Sequence, residues 1–166
     1  VVSGRGLSGH VQGANLLRQW IGRIELVAPA TEWLIHDRES SGNNEFGGPV
    51  VDLKATASIA GYFPSLHLSA FKRIDVSVTP AFVLQTSRDA VEQRGGELGP
   101  IQNRVVDGKN TWFFEAKVWQ KDQPARLYYV LLEGSEAIYA LQTVVPEAAL
   151  IETKRRVDEL LLKVKY

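Results

Sequence analysis

The stretch RVVDGKNTWFFEAKVWQKDQPARLYYVLLEGSEAIYALQTVV, residues 104–145, decides the fold of this chain. Asp107-Gly108 between two apolar runs predicts a hairpin with a two-residue type I′ turn. Gly134-Ser135 predicts a second hairpin, with glycine at the first position of a type II′ turn. Lys121 to Pro124 is a polar reversal between the two hairpins. Three neighbouring antiparallel strands follow from this order.

The strands of this stretch are too apolar for a sheet with one face in water. Leu127 to Leu132 is apolar on both faces, and so is much of Ala137 to Val145. A half-exposed sheet would alternate polar and apolar residues. We therefore expect an α+β fold, an α/β/α sandwich with a central antiparallel β-sheet covered by helices on both faces.

Two helices are predicted as the covers. Pro146 and Glu147 suit the first turn of a closing helix. The predicted apolar stripe of that helix is Ala149, Leu150, Thr153, Val157, Leu160, Leu161 and Val164. The other helix is predicted to follow the capping residue Thr79, with Pro80 at its first position, and to end at Gly95-Gly96.

Length and composition restrict the classes of function. A chain of 166 residues is expected to be one domain with its own core. Its 19 basic and 19 acidic residues balance, so neither nucleic acid nor an anionic membrane is an expected partner. The absence of Cys excludes disulfides and thiolate metal sites, and no apolar run is long enough for a transmembrane segment. Because the chain begins at Val1 and contains no Met, we expect that a signal peptide or an anchoring segment has been removed.

Residues 1–23 are predicted to form a glycine-rich leader with a short helix through Leu16, Leu17 and Trp20. The leader contains Gly4-x-Gly6-x-x-Gly9, which matches a dinucleotide-binding fingerprint. That fingerprint needs a parallel βαβ unit, whereas the rest of the chain predicts antiparallel pairing. A flexible leader is therefore favoured over a nucleotide loop, and no cofactor is expected.

Residues 24–166 are predicted to form a single domain, whose first half holds short strands and one long loop. Strands are predicted at Ile24 to Pro29, Thr31 to His36, Val50 to Ile59 and Leu66 to Phe71. The segment from Asp37 to Pro49 is polar, glycine-rich and aperiodic, and loops of this length are usually functional or disordered. Charged residues beside an apolar anchor suit a protein partner, so we predict partner binding by this loop and by the leader helix. The predicted partner-binding residues are Arg38, Glu39, Glu45, Phe46, Leu16, Leu17 and Trp20.

Patterns typical of catalysis are weak. Ser69-Ala70-Phe71-Lys72 matches the Ser-x-x-Lys of penicillin-recognising enzymes, but it falls at a predicted strand end and its companion motifs are absent. Glu115 beside Lys117 is predicted to be an ion pair rather than an acid–base pair. We predict no catalytic residue.

Metal-binding patterns are equally weak. His10, His36 and His67 lack the spacing of a metal site. A weak cation site between His36 and Glu39 stays open, although adjacent strand residues face opposite sides of a sheet. We predict no metal site.

The order of these elements resembles the PsbP-like superfamily, which includes the extrinsic photosystem subunit, bacterial lipoproteins and the Ran-binding Mog protein. The matching features are Leu26-Val27-Ala28-Pro29 followed by Trp33, the strands Val50 to Ile59 and Leu66 to Phe71, the helix Thr79 to Arg94, Val106-Asp107-Gly108-Lys109 to Trp119, the Glu133-Gly134-Ser135 hairpin and the closing helix. The resemblance implies an α/β/α sandwich. It carries over no functional residue, and it does not cover the leader through Trp20.

These observations predict a non-enzymatic binding or assembly protein. The resemblance implies an extracytoplasmic accessory subunit, in the periplasm or a lumen, of a larger membrane-associated complex such as a photosynthetic one. The alternative is a small-ligand carrier or an enzyme that uses a pocket between the sheet and a helix. A pocket with convergent polar groups would favour the alternative, and a filled core with an apolar surface patch would favour protein binding.

Overall fold

The computed structural model describes residues 16–21, 24–29, 33–35, 50–73 and 75–162. Its strands are β1 (Leu16–Ile21), β2 (Ile24–Pro29), β3 (Trp33–Ile35), β4 (Val50–Ala55), β5 (Ser65–Lys72), β6 (Glu97–Leu98), β7 (Gln102–Val106), β8 (Lys109–Gln120), β9 (Gln123–Glu133) and β10 (Ala137–Val145). The helices are α1 (Pro80–Gln93) and α2 (Leu150–Leu161), and a 3₁₀ turn at Glu147–Ala149 leads into α2.

One antiparallel sheet organises the domain. Its strand order is β3-β4-β5-β10-β9-β8-β6, and β7 pairs with β8 on the same edge as β6. The predicted hairpin at Asp107-Gly108 is confirmed, because both residues have positive φ, 52° and 76°, as a type I′ turn requires. Lys121 and Asp122 also have positive φ and join β8 to β9, so the polar reversal is a second tight turn.

The predicted type II′ turn at Gly134-Ser135 is wrong. Gly134 is not among the positive-φ glycines, and its N–H donates to the carbonyl of Ala137 at 2.9 Å, so the turn is at Ser135-Glu136. This register pairs Glu133 with Ile138. The predicted turn would have placed Glu133 opposite Glu136, and like charges directly opposite each other are destabilising.

Strand β4 is shorter than predicted. It ends at Ala55, and Ile59 pairs with Tyr62 across a tight turn in which Ala60 and Gly61 have positive φ. The apolar alternation that suggested a strand to residue 59 arises because Ile59 is buried in the core outside the strand.

The predicted leader helix is wrong in its described part. Leu16, Leu17 and Trp20 lie on β1, which pairs antiparallel with β2 so that Ile21 is opposite Ile24. Glycines at positions 13 and 22 leave only eight residues for a helix, and isolated helices shorter than ~12 residues are marginal. The predicted division of the chain at residue 23 falls between these paired strands.

Both faces of the sheet are covered by helices, as predicted. Helix α1 follows its cap Thr79, whose Oγ1 accepts from the N–H of Phe82 at 3.1 Å, and a glycine with positive φ, Gly95, follows its last turn. The core under α1 comprises Val78, Val83, Leu84, Phe114, Ala116, Leu127, Tyr129, Leu131, Ile138 and Ala140. The described part of the predicted α2 stripe is buried against the other face: Ala149, Leu150, Thr153, Val157, Leu160 and Leu161.

The edge strand beside β8 is broken in the middle. Between β6 and β7, the N–H of Gly99 donates to the carbonyl of Glu115 at 2.7 Å. A Cβ at Gly99 would lie 2.9 Å from that carbonyl oxygen, so only glycine allows the close approach. Pro100 follows and has no N–H to donate. The break opens a gap at the sheet edge on the side of α2.

Candidate functional site

Most residues predicted to bind a partner lie outside the described part of the chain. These are Arg38, Glu39, Glu45 and Phe46, and the possible cation site between His36 and Glu39 also lies outside it. The backbone places Leu16, Leu17 and Trp20 on β1. Among the concave sites that the described residues form, two lie between the sheet and a helix, one on each face of the sheet.

The first site is a cleft between α2 and the broken edge of the sheet. Phe113 of β8 and Tyr128 of β9 form its aromatic wall, with ring centroids 6.3 Å apart and planes inclined by 18°. Gly99 and Pro100 form its rim. The volume of the cleft is about 230 Å³. The remaining lining is Gln102, Arg104, Phe114, Glu115, Arg126 and Lys154.

Positive side chains converge on this cleft, which we call the cationic cleft. The guanidinium of Arg104 lies 3.8 Å from the ring centroid of Phe113. Glu115 accepts from Arg126 Nη2 at 3.1 Å and is also paired with Lys154 of α2. The predicted ion pair of Glu115 with Lys117 is therefore wrong. The side chain of Lys117 lies over the ring of Trp119 instead, 5.2 Å from its centroid.

Tyr128 holds the wall of the cationic cleft to α2. Its hydroxyl donates to the carboxylate of Asp158 at 2.6 Å. Burial raises the pKa of Tyr128 well above its usual range, and the hydrogen bond and charge of Asp158 raise this pKa further, while Arg104 opposes them. The hydroxyl therefore stays protonated and serves as a structural donor at neutral pH.

The second site is a groove of about 430 Å³ along α1, which we call the α1 groove. Helix α1 contributes Ser87, Ala90, Val91 and Arg94. The strands and the residue after the helix contribute Gly96, Val118, Trp119, Gln120, Leu127, Gln142 and Val144. Trp119 is 47% exposed and borders the groove near the end of β8, where it lies on the same face as Glu115 and Lys117 and on the opposite face from Val118.

The catalytic look-alike is not assembled. Ser69 is buried at 7% exposure, and Lys72 lies exposed at the end of β5. They are three residues apart on one strand and therefore face opposite sides of the sheet. His67 instead pairs across strands with Asp52, with 2.6 Å between Nδ1 and Oδ1. Among the described residues no group of three His, Cys, Asp or Glu side chains could hold a metal ion.

Sequence reasoning missed both concave sites. The cationic cleft brings together Arg104, Arg126 and Lys154, which are far apart in the chain and show no spacing pattern. The signal that was available is the alternation of β8, which places Phe113, Glu115, Lys117 and Trp119 on one face. The alternation predicts which residues of β8 share a face. Only the strand pairing shows which charged residues of other elements lie beside them.

The fold is shared with solved structures of low sequence identity. CyanoP, the cyanobacterial PsbP of Synechocystis sp. PCC 6803, has a TM-score of 0.62 at 16% identity, over 98% of this chain and 99% of its own. Protein PA94 of Pseudomonas aeruginosa, of unknown function, has a TM-score of 0.59 at 12% identity, over 90% of this chain and 95% of its own. A Bacteroides thetaiotaomicron protein has a TM-score of 0.54 at 8% identity, over 86% of this chain and 44% of its own.

These likenesses establish a PsbP-like fold for the chain. No protein-family model and no curated protein matches the sequence. The resemblance to the Ran-binding Mog protein stays a prediction. In the described residues, no helix combines the length and the apolar character needed to cross a membrane.

Proposed function

We propose that this chain is a non-enzymatic accessory protein that binds a partner protein through the α1 groove. It would act outside the cytoplasm, in the periplasm or a lumen, as a subunit of a larger membrane-associated complex. A photosynthetic complex is one candidate of this class. The PsbP-like fold supports this class of function, since the resemblance includes an extrinsic photosystem subunit. Fold alone does not determine function, so the proposal depends on the surface.

The observation that carries the proposal is the open groove along α1, with the half-exposed Trp119 at its border. Leu131, Ile138 and Leu141 are fully buried, and each helix packs on a cluster of buried side chains from the sheet. The α1 groove is lined by Val91, Val118 and other apolar side chains and remains open. Trp is enriched among the residues that dominate binding energy at protein interfaces.

The charge of the α1 groove indicates the chemistry of its partner. Arg94 is the charged residue in its described lining, and Lys117 lies over the indole of Trp119. An apolar side chain flanked by carboxylates would therefore complement the groove. We propose an acidic segment with an apolar anchor as the partner's contact.

The test compares two equally exposed aromatic side chains. Trp119→Ala should abolish co-purification of the partner from source membranes, whereas Phe63→Ala, which truncates a side chain of the same 47% exposure, should leave recovery unchanged. Arg94→Glu should weaken association, and more so at low ionic strength. Thermal transitions of all variants serve as the folding control. Equal recovery with Trp119→Ala and Phe63→Ala would exclude the α1 groove.

The alternative, a small-ligand carrier with a pocket between sheet and helix, is favoured by one observation. The cationic cleft is such a pocket and contains convergent polar groups. It lies on the opposite face of the sheet from the α1 groove, so both sites can be tested separately.

A further inference from the structure

Three cationic side chains and one carboxylate line the cationic cleft. Its lining carries Arg104, Arg126 and Lys154 but a single carboxylate, that of Glu115. Glu115 is paired with both Arg126 and Lys154. Arg104 forms no ion pair within the part of the chain that the structure describes. Arg126 is also paired with Glu147, and Asp158 and Glu159 line a neighbouring hollow together with Arg104. Arg104 is therefore the cation of the cleft that has no ion-pair partner among the described residues, although carboxylates lie near it.

Arg126 gives a second, independent sign of an incomplete site. Its two Nη atoms donate to Glu115 and Glu147, yet its Nε is buried and has no hydrogen-bond partner. Leaving a buried donor unpaired is energetically costly, and such groups are rare in native structures. An acceptor oxygen of a ligand would remove this cost if it came within hydrogen-bond distance of Nε.

The walls limit what kind of molecule enters. The rings of Phe113 and Tyr128 offer an apolar surface, and Lys154 Nζ already lies 5.3 Å from the centroid of Tyr128. The volume of about 230 Å³ is below the ~300–1,000 Å³ of drug-sized ligand sites. A ligand must therefore be compact, with an apolar body and an acidic group.

We propose that the cationic cleft binds a small organic anion. Its carboxylate or phosphate group is held by the guanidinium of Arg104, with Nε of Arg126 as a further donor, and its apolar body lies against Phe113 and Tyr128. Guanidinium groups match both oxyanions because their fork of N–H donors binds two oxygens at once. This site goes beyond partner binding at the α1 groove and involves none of the groove's residues.

The test uses titration calorimetry of the whole chain with benzoate and phenyl phosphate as probes. Benzamide, a neutral molecule of the same shape as benzoate, is the ligand control. Arg104→Gln is the main variant, since Arg104 is exposed and its loss breaks no ion pair described here. Lys72→Gln removes one exposed positive charge far from the cleft and is the protein control. Lys154→Gln is the second cleft variant, for use if Arg104→Gln shifts the thermal transition.

The expected result is binding of benzoate or phenyl phosphate, no binding of benzamide, and roughly tenfold or greater weakening by Arg104→Gln. Lys72→Gln should leave the affinity unchanged. The ratio of the two probe affinities identifies the acidic group that the cleft prefers. Absence of binding by both probes, equal binding of benzamide, or equal affinities for Arg104→Gln and Lys72→Gln would overturn the proposal. None of these outcomes bears on association through the α1 groove.

Discussion

The hydroxyl of Tyr129 lies 2.7 Å from Oγ of Ser87 and joins the central strand β9 to helix α1. The ring of Tyr129 also stacks on Phe114 of β8, with centroids 4.8 Å apart. Burial raises the pKa of Tyr129 from 10 to about 12, and the hydrogen bond with Ser87 opposes this shift. The attachment of α1 to the sheet is therefore sensitive to alkaline pH.

The first prediction concerns this sensitivity. Below pH 10, Tyr129 is protonated in both the folded and the unfolded state. Its full contribution to the free energy of unfolding is therefore present there. Above pH 10 the unfolded state ionises first, and the contribution, about 2–3 kcal/mol, is lost as the pH reaches about 12. Urea unfolding, measured from neutral pH to about 12, gives the free energy of unfolding at each pH. Tyr129→Phe should reduce the fall of this free energy above pH 10. A variant whose stability falls as steeply as that of the unchanged protein would contradict the assignment.

The second prediction concerns the central strand. Leu131 is fully buried between Trp112 and Ala140 in the sheet. Leu131→Ala should lower the free energy of unfolding by ~2–5 kcal/mol, because it removes a packed side chain and leaves a cavity. Ile151→Ala, at a position that is 85% exposed, is the control and should change stability little. An unchanged denaturant midpoint for Leu131→Ala would show that β9 is peripheral.

The third prediction concerns the turn between β7 and β8. Gly108 has φ of 76°, and nothing lies within 4 Å of an added Cβ, so a substitution there tests the backbone alone. Gly108→Ala should cost ~1–2 kcal/mol, and Gly108→Asn less, since Asn tolerates the left-handed region better. Thermal unfolding of both variants measures the loss of stability that each substitution causes. Equal losses would exclude the type I′ turn as their cause.

The fourth prediction concerns the segment that was predicted to bind a partner and lies outside the described residues. Deletion of Ser40 to Gly47, which contains Glu45 and Phe46, should leave the thermal transition nearly unchanged while abolishing association with the partner. Co-purification of the deleted and the full chain from source membranes measures this. Equal recovery would leave the α1 groove as the docking site to pursue.

Sequence reasoning succeeds where local chemistry determines structure. Asp107-Gly108 predicts its hairpin because few residues accept positive φ at both turn positions. The cap at Thr79 and the apolar stripe of α2 predict both helices because each is a local pattern.

It fails where distant residues decide. The turn near Gly134 shifts because the pairing of Glu133 with Ile138 determines the register. Leu16, Leu17 and Trp20 have helical spacing, yet pairing with β2 makes them a strand. The cationic cleft is not predictable from the sequence, because its charges come from β7, β8, β9 and α2 and meet only in the folded sheet.

The strand order also has a consequence for the folding pathway. Strands β8, β9 and β10 are joined by tight turns, so their pairing closes only short loops. Strand β5 meets β10 with Leu68 opposite Leu141, across a segment that contains α1 and four strands. Loop-closure entropy rises with loop length, and non-local pairing is slow. The hairpins should therefore form the folding nucleus. Strand β5 should pair with β10 late, and β4, which pairs with β5, should join the sheet with it.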